Sequence, residues 1–182
     1  MILTDHVNKI CVSCHFHLRN IAKIRKYLSE DTSQILVHAF ISSKLDNGNS
    51  LLCGRPKHLL NRLRLIQNTA ARIVTLSKRF DHITPILLKL HWLPPGYRIH
   101  LKILLLVYKC LNGLAPTYLS ELLRYTNGPR LLRSSSQNFL AVPRARLKTY
   151  GDSAFSAAAP RLWNQLFYNC RPVQDAVEDI LI

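Results

Sequence analysis

The chain is short of acids, of glycine and of long apolar runs, and each shortage removes a class of function. Only 10 of its 182 residues are Asp or Glu. Asp5, Asp31, Asp81 and Asp152 read as helix caps, and Glu121 and Glu178 as solvated helix faces. The six glycines, at positions 48, 54, 96, 113, 128 and 151, cannot build G-x-x-x-x-G-K-[ST] or G-x-G-x-x-G, so a phosphate-cradling loop is not expected. Nor is there a G-x-S-x-G elbow to expose a nucleophilic serine. The longest unbroken apolar run, Ile103 to Tyr108, is far below the roughly 20 residues that span a bilayer, so no membrane helix is expected. At the N-terminus Asp5 interrupts the chain before an apolar signal core can form, which predicts an intracellular protein, nuclear or cytoplasmic and not secreted. The five cysteines, Cys11, Cys14, Cys53, Cys110 and Cys170, are odd in number and irregular in spacing. They predict free thiols rather than a disulfide frame.

What is abundant is positive charge. There are 25 Lys and Arg and a formal net charge of +15. From Asn47 to Gly151 the sequence holds 17 basic residues and two acids, Asp81 and Glu121. A domain this basic meets a polyanion, and nucleic acid is the leading candidate. Hydrophobic residues make up 48% but lie in short periodic stretches, enough for one domain or two small ones.

Those periods predict a mainly α fold. Leu3, Val7, Ile10, Cys14, Leu18, Ile21, Ile24 and Leu28 recur at steps of three and four, the mark of one face of a long helix, with Thr4 or Asp5 as its cap. Ser29 is placed to cap a second helix that buries Ile35, Leu36, Ala39 and Phe40. Asp46-Asn47-Gly48-Asn49 then signals a turn. Pro56 opens a helix with Leu59, Leu63, Ile66, Ala70 and Ile73 on one side and Lys57, Asn61, Arg64, Asn68 and Arg72 on another. Thr84-Pro85 restarts a short helix that Trp92-Leu93-Pro94-Pro95 ends. The segment from Tyr97 to Asn112, with only a narrow stripe of Arg98, Lys102 and Lys109, reads as the most buried helix. Gly113 caps it and Pro116 opens another through Leu123.

From Tyr125 to Gly151 the composition turns to Gly, Pro, Ser and Arg, predicting a basic irregular arm with at most one short β-hairpin around Phe139–Val142. Asp152 caps a short helix over residues 153–159, Pro160 separates it from 161–166, and Val173 to Ile182 forms a short amphipathic helix. The expected division is residues 1–77, 78–124, 125–151 and 152–182.

Two constellations compete for chemistry. Cys11-Val-Ser-Cys14-His15-Phe-His17 contains the C-x-x-C-H of covalent haem attachment and zinc-type donors. The apolar period runs straight through it, however, and no second ligand pair follows, so packing is the favoured reading. The other is basic. Lys57, Arg64 and Arg72, interleaved with Asn61 and Asn68 and flanked by Arg62, supply cations and donors for phosphates. A second basic run, Arg144, Arg146 and Lys148, ends on Tyr150, which is suited to stack on a base. The bland alternative for all of these is solubility, and an acidic protein partner is the competing use of such a face. His38, His58, His82, His91 and His100 read as ordinary packing or surface residues.

LIQNTAARIV, DHITPILLKLHWLP, RIHLKILLLVYKCLNGLAPTYLSELL and AVPRARLKTYGDSAFSAAAPRLWNQL follow one another between Leu65 and Leu166. This series resembles the region downstream of the polymerase core in jockey-like LINE (non-LTR) retrotransposon reverse transcriptases. His17 to Arg25, Leu36 to Phe40 and Ser43 to Asp46 are similar to the family as well. The resemblance implies a helical thumb over residues 1–77 and a helical extension after it, which grip template and growing strand. It reaches Arg25, Asn68, Arg72, His91, Trp92, Asn112, Pro143, Arg144, Arg146, Lys148, Trp163 and Asn164 individually. Asp46-Asn47-Gly48-Asn49 and Phe167 depart from the family pattern, and beyond Asn169 the likeness fades. The family's chemistry needs a palm whose adjacent aspartates hold two divalent metals, and this sequence has no Asp-Asp pair. The expectation is therefore a non-catalytic fragment of an RNA-directed DNA polymerase that needs no cofactor of its own. Its partners would be RNA, DNA or their hybrid, and it would self-associate through apolar faces that the palm would otherwise cover.

Overall fold

The computed structural model describes residues 2–126, 139–144, 151 and 153–169. Among these the protein is mainly helical. It divides into two compact units, Met1–Ile99 and His100–Ile182.

In the first unit, α1 (Ile2–Ile24) runs directly into a 3₁₀ turn at Arg25–Tyr27. Thr4 and Asp5 lie inside its first turn rather than capping it, where the Asp5 carboxylate complements the positive helix end. Its buried stripe is Val7, Cys11, Cys14, Leu18 and Ile21, whereas Ile24 is exposed and Ile10 half-buried. The reason is geometric: at 3.6 residues per turn, positions 7, 11, 14, 18, 21 and 25 share one narrow sector, and the expected Ile10 and Ile24 lie off it. Cys14 therefore serves as a small core hydrophobe, as its place in the period suggests.

The second helix, α2 (Glu30–Val37), begins as expected, with the Ser29 side chain accepting from the Thr32 N–H at 3.1 Å. It turns a different face inward. Ile35 and Phe40 are exposed, and Ser33, Val37, Ile41, Ser42 and Leu45 are buried. A π-helical turn at His38–Ser42, leading into α3 (Ser43–Asp46), inserts the extra residue that carries this register forward. Ser33 tolerates burial because its hydroxyl donates to the Ser29 carbonyl at 2.8 Å. The expected turn follows, with Gly48 left-handed at φ 64° and the buried Asn49 donating to Asp46 at 3.1 Å.

Helix α4 (Lys57–Thr75), with Pro56 at its N-cap, forms the spine of this unit, packing against α1, α2 and α5 (Ile83–Lys89). It buries Leu59, Leu63, Ile66, Ala70 and Val74 together with Gln67 and Ala71. At about 1.5–3 kcal/mol for each large side chain removed from water, that stripe is a principal source of cohesion. Gln67 is accommodated because its Nε2 donates to the Leu93 carbonyl at 3.0 Å. Arg98 donates to the same carbonyl at 2.8 Å and pairs with Asp46 at 3.0 Å. The Trp92-Leu-Pro-Pro breaker is thereby tied down, with the buried Trp92 ring edge-on to His38.

Arg25 occupies the next step of the α1 stripe and is only 7% exposed. Its guanidinium donates to the carbonyls of Ile73 (3.0 Å) and Val74 (2.6 and 3.2 Å) and to Leu28 (2.6 Å). It thus covers carbonyls at the end of α4, where the helix leaves acceptors unpaired and its dipole is negative.

Helix α6 (Pro95–Leu111) begins two residues before the expected Tyr97, using Pro95 as its first residue, and the division between the units falls within it. It buries Ile99, Ile103, Val107 and Cys110 but leaves Leu101 and Leu105 exposed. It is not the most buried helix: a single stripe packs, and the remaining apolar residues fall outside that sector. In the second unit Gly113 ends α6 with φ 69°, and the Leu114 N–H reaches the Lys109 carbonyl at 2.8 Å. Pro116 caps α7, which is confined to Thr117–Ser120, the chain to Leu123 continuing as tight turns.

Around Phe139–Val142, where at most one short hairpin is expected, the described residues form no strand and a single isolated antiparallel bridge, Tyr125 to Leu140. The Asn164 amide secures it, accepting from the Leu140 N–H at 3.0 Å and donating to its carbonyl at 2.9 Å. Asn164 lies on α8 (Phe155–Asn169), which runs unbroken through Pro160. That corrects the expected separation at this proline. The ring forfeits one intrahelical bond, but it is fully buried beside Ala157, Ala158 and Ala159, and this packing offsets the lost donor. Asp152 and residues 173–182, to which a cap and a helix were assigned, lie outside the described residues.

Candidate nucleic-acid interface

Helix α4 presents the basic face. With Leu59, Leu63, Ile66, Ala70 and Val74 turned inward, Lys57, Asn61, Arg64, Asn68 and Arg72 fall within one sector on the other side. Lys57, Asn61 and Arg64 are exposed and Asn68 is half-buried. No acid occurs on the helix, and neither Lys57 nor Arg64 has an ion-pair partner among the described residues. Arg72 is partly anchored: its Nη2 donates to the Asp81 carbonyl at 3.2 Å, while its Nε makes no hydrogen bond among the described residues. Arg62, expected to flank the row, stands off it toward α1, where its guanidinium donates to Asn8.

Of the second basic group, Arg144 is exposed and belongs to the second unit. Arg146, Lys148 and Tyr150 lie outside the described residues.

The loop after α4 adds residues that the pattern of the helix does not reveal. Leu76 closes α4 in the left-handed region at φ 53°, and the Ser77 N–H bonds the Arg72 carbonyl at 3.1 Å. The Thr75 and Ser77 hydroxyls meet at 2.6 Å, and the Lys78 N–H donates to the Asp81 carboxylate at 2.7 Å. Lys78, Arg79 and Phe80 all face solvent. The sequence signal was present in the run Lys78-Arg79-Phe80, which the helix-face period stops short of.

The Cys/His constellation does not converge on a common point. Cys11 and Cys14 are buried in the α1 stripe, while His15 faces solvent. His17 stacks on Phe40 at a centroid distance of 5.0 Å and lies 2.9 Å from the Lys44 ammonium. Burial pushes the Cys14 thiol up to about 11, against the opposing pull of Lys44, and burial also raises Cys11 and Cys53. Protonated thiols are poor metal ligands. No group of three or more His, Cys, Asp or Glu among the described residues is arranged to hold a metal ion.

The acids have local roles. Glu30 pairs with Lys89 at 2.8 Å, Asp46 with Arg98, and Asp81 closes its own turn. Asp31 sits in the first turn of α2 and Glu121 faces solvent. Among the described residues no helix is long and apolar enough to cross a membrane. No protein-family model, curated protein or solved structure matches this chain.

Proposed function

We propose that this chain is a non-catalytic nucleic-acid-binding region of a LINE-type RNA-directed DNA polymerase. It grips RNA, DNA or their hybrid through the basic side of α4 while a palm outside these residues performs the chemistry. The observation that carries the proposal is the exposed Lys57–Asn61–Arg64 row on an acid-free helix, in a chain of net charge +15. Cations and amides at helical spacing suit a phosphate backbone, which asks for charge and donors rather than a unique geometry. The likeness of the series from Leu65 to Leu166 to that family supports the reading, and the absence of an Asp-Asp pair argues for a gripping rather than a copying role. On this reading the protein works in the nucleus or cytoplasm. Exposed apolar side chains such as Leu88 and Leu114 favour association with a palm or with further copies.

Anisotropy titration of a fluorescent oligonucleotide tests the proposal. The double variant Lys57→Glu, Arg64→Glu should lose at least about tenfold in affinity, because each reversal removes a phosphate contact and adds repulsion. Both positions are exposed, so folding should be intact by circular dichroism. Unchanged affinity would refute a role for this face, and binding to an acidic protein in preference to oligonucleotides would replace the proposal.

A further inference from the structure

The loop that ends α4 holds the most exposed large hydrophobic residue among those described: Phe80, at 92%. A phenyl ring left almost wholly in water gains nothing from folding; a lone exposed apolar side chain is common, and what sets this one apart is the company it keeps. Slack in the chain is no explanation, since the loop is tied at several points. The Ser77 N–H bonds the Arg72 carbonyl, the Asp81 N–H bonds the Lys78 carbonyl at 3.2 Å, and the Asp81 carboxylate holds the Lys78 N–H. The Asp81 carbonyl in turn accepts from Arg72. The backbone is fixed and the ring still projects.

Two of the other exposed aromatics, Tyr27 and Phe40, have an occupied face, whereas Tyr97 and Tyr118, like Phe80, do not among the described residues. Lys26 sits 4.7 Å over the Tyr27 ring, and His17 stacks on Phe40. Phe80 has no ring or cation partner among the described residues, and two exposed cations, Lys78 and Arg79, immediately precede it. Arg72 is fastened to the same loop, and Asp81 is the one acid in it. An open aromatic face beside several cations, at the end of a basic helix, matches the elements that hold single strands: stacking for the base and positive charge for the flanking phosphates.

We infer that loop 77–81 is a single-strand subsite in which Phe80 stacks on an unpaired base while Lys78 and Arg79 contact the adjoining phosphates. The inference rests on the nucleic-acid reading above and deepens it by naming the form of polynucleotide. A continuous duplex keeps its base faces covered by their neighbours, so it can use the cations but not the ring. Preference for an unpaired segment then resides in one side chain whose removal leaves the charge unaltered.

The test uses the full chain with labelled oligo(dT) and with a duplex of the same length. Phe80→Ala should weaken oligo(dT) binding by about tenfold or more, leave duplex affinity within about twofold, and leave the salt dependence of both unchanged, because no cation is lost. Phe80→Trp should restore the affinity, and the added indole emission should be quenched when oligo(dT) binds. If Phe80→Ala binds oligo(dT) as tightly as the parent while Lys57→Glu, Arg64→Glu does not, the stacking subsite is overturned and the basic face stands. If the parent binds neither probe in dilute salt, both readings fall. If Phe80→Ala instead abolishes concentration-dependent sedimentation and leaves both probes bound normally, the ring serves contact between copies and the subsite is overturned.

Discussion

Arg25 shows how one residue can contradict a pattern and thereby complete it. The α1 stripe steps through Val7, Cys11, Cys14, Leu18 and Ile21, and the next step in register should be apolar, yet it is an arginine. Burial of a guanidinium is tolerated here because its bonds reach the Ile73, Val74 and Leu28 carbonyls. Arg25→Met keeps most of the stem and removes the donors, leaving those carbonyls uncovered. The expected cost is on the order of 3 kcal/mol, read as a lower urea midpoint with an unchanged slope. Cys14 gives a second residue-level expectation. Below pH 9.0 the thiol is protonated in folded and unfolded chains alike, so it sets no pH dependence. As pH rises from 9.0 toward about 11 the unfolded thiol ionises while the buried one stays protonated. Proton loss therefore favours the unfolded chain, and stability falls across that window. Urea midpoints measured through it should decline, and less steeply in Cys14→Ala.

At the scale of elements, existence was legible and orientation less so. The starts at Ser29 and Pro56 and the stop at Gly113 rest on cap chemistry that a residue type nearly dictates, and the structure has all three. The inward face of α2 was not legible. Ile35, Leu36, Ala39 and Phe40 offer more apolar surface than Ser33 and Val37, but the π-turn and a hydroxyl bonded to its own helix made the small face the one that packs. Pro160 is the complementary case, since the missing donor is visible in sequence and the burial of the ring is not. Of the candidate contacts, the Lys57 to Arg72 row could be read from spacing. The Arg62 bond to Asn8 depends on the packing of α1 on α4, which no local pattern contains. Leu76 makes an element-level expectation. It holds a left-handed φ of 53° with its side chain exposed, a conformation that glycine adopts without penalty. Leu76→Gly should stabilise the protein by about 1 kcal/mol in thermal or urea unfolding, whereas a similar exchange within α4 should destabilise it by about the same amount.

For the whole molecule, charge is the dominant property. Lys89 pairs with Glu30 and Arg98 with Asp46, in a chain with 25 basic residues and 10 acids. With the cations outnumbering the acids, at least 15 of them have no acid to match, and their mutual repulsion opposes compactness unless a polyanion relieves it. A polynucleotide held by several such cations releases condensed counterions, and that release can be read directly. The decisive measurement is the oligonucleotide affinity of the full chain across a series of salt concentrations. Three or more phosphate contacts should give a log–log slope of about −2 or steeper, and Lys57→Glu, Arg64→Glu should flatten it by about 1–2. A flat line for the parent protein, or no binding in dilute salt, would contradict the account.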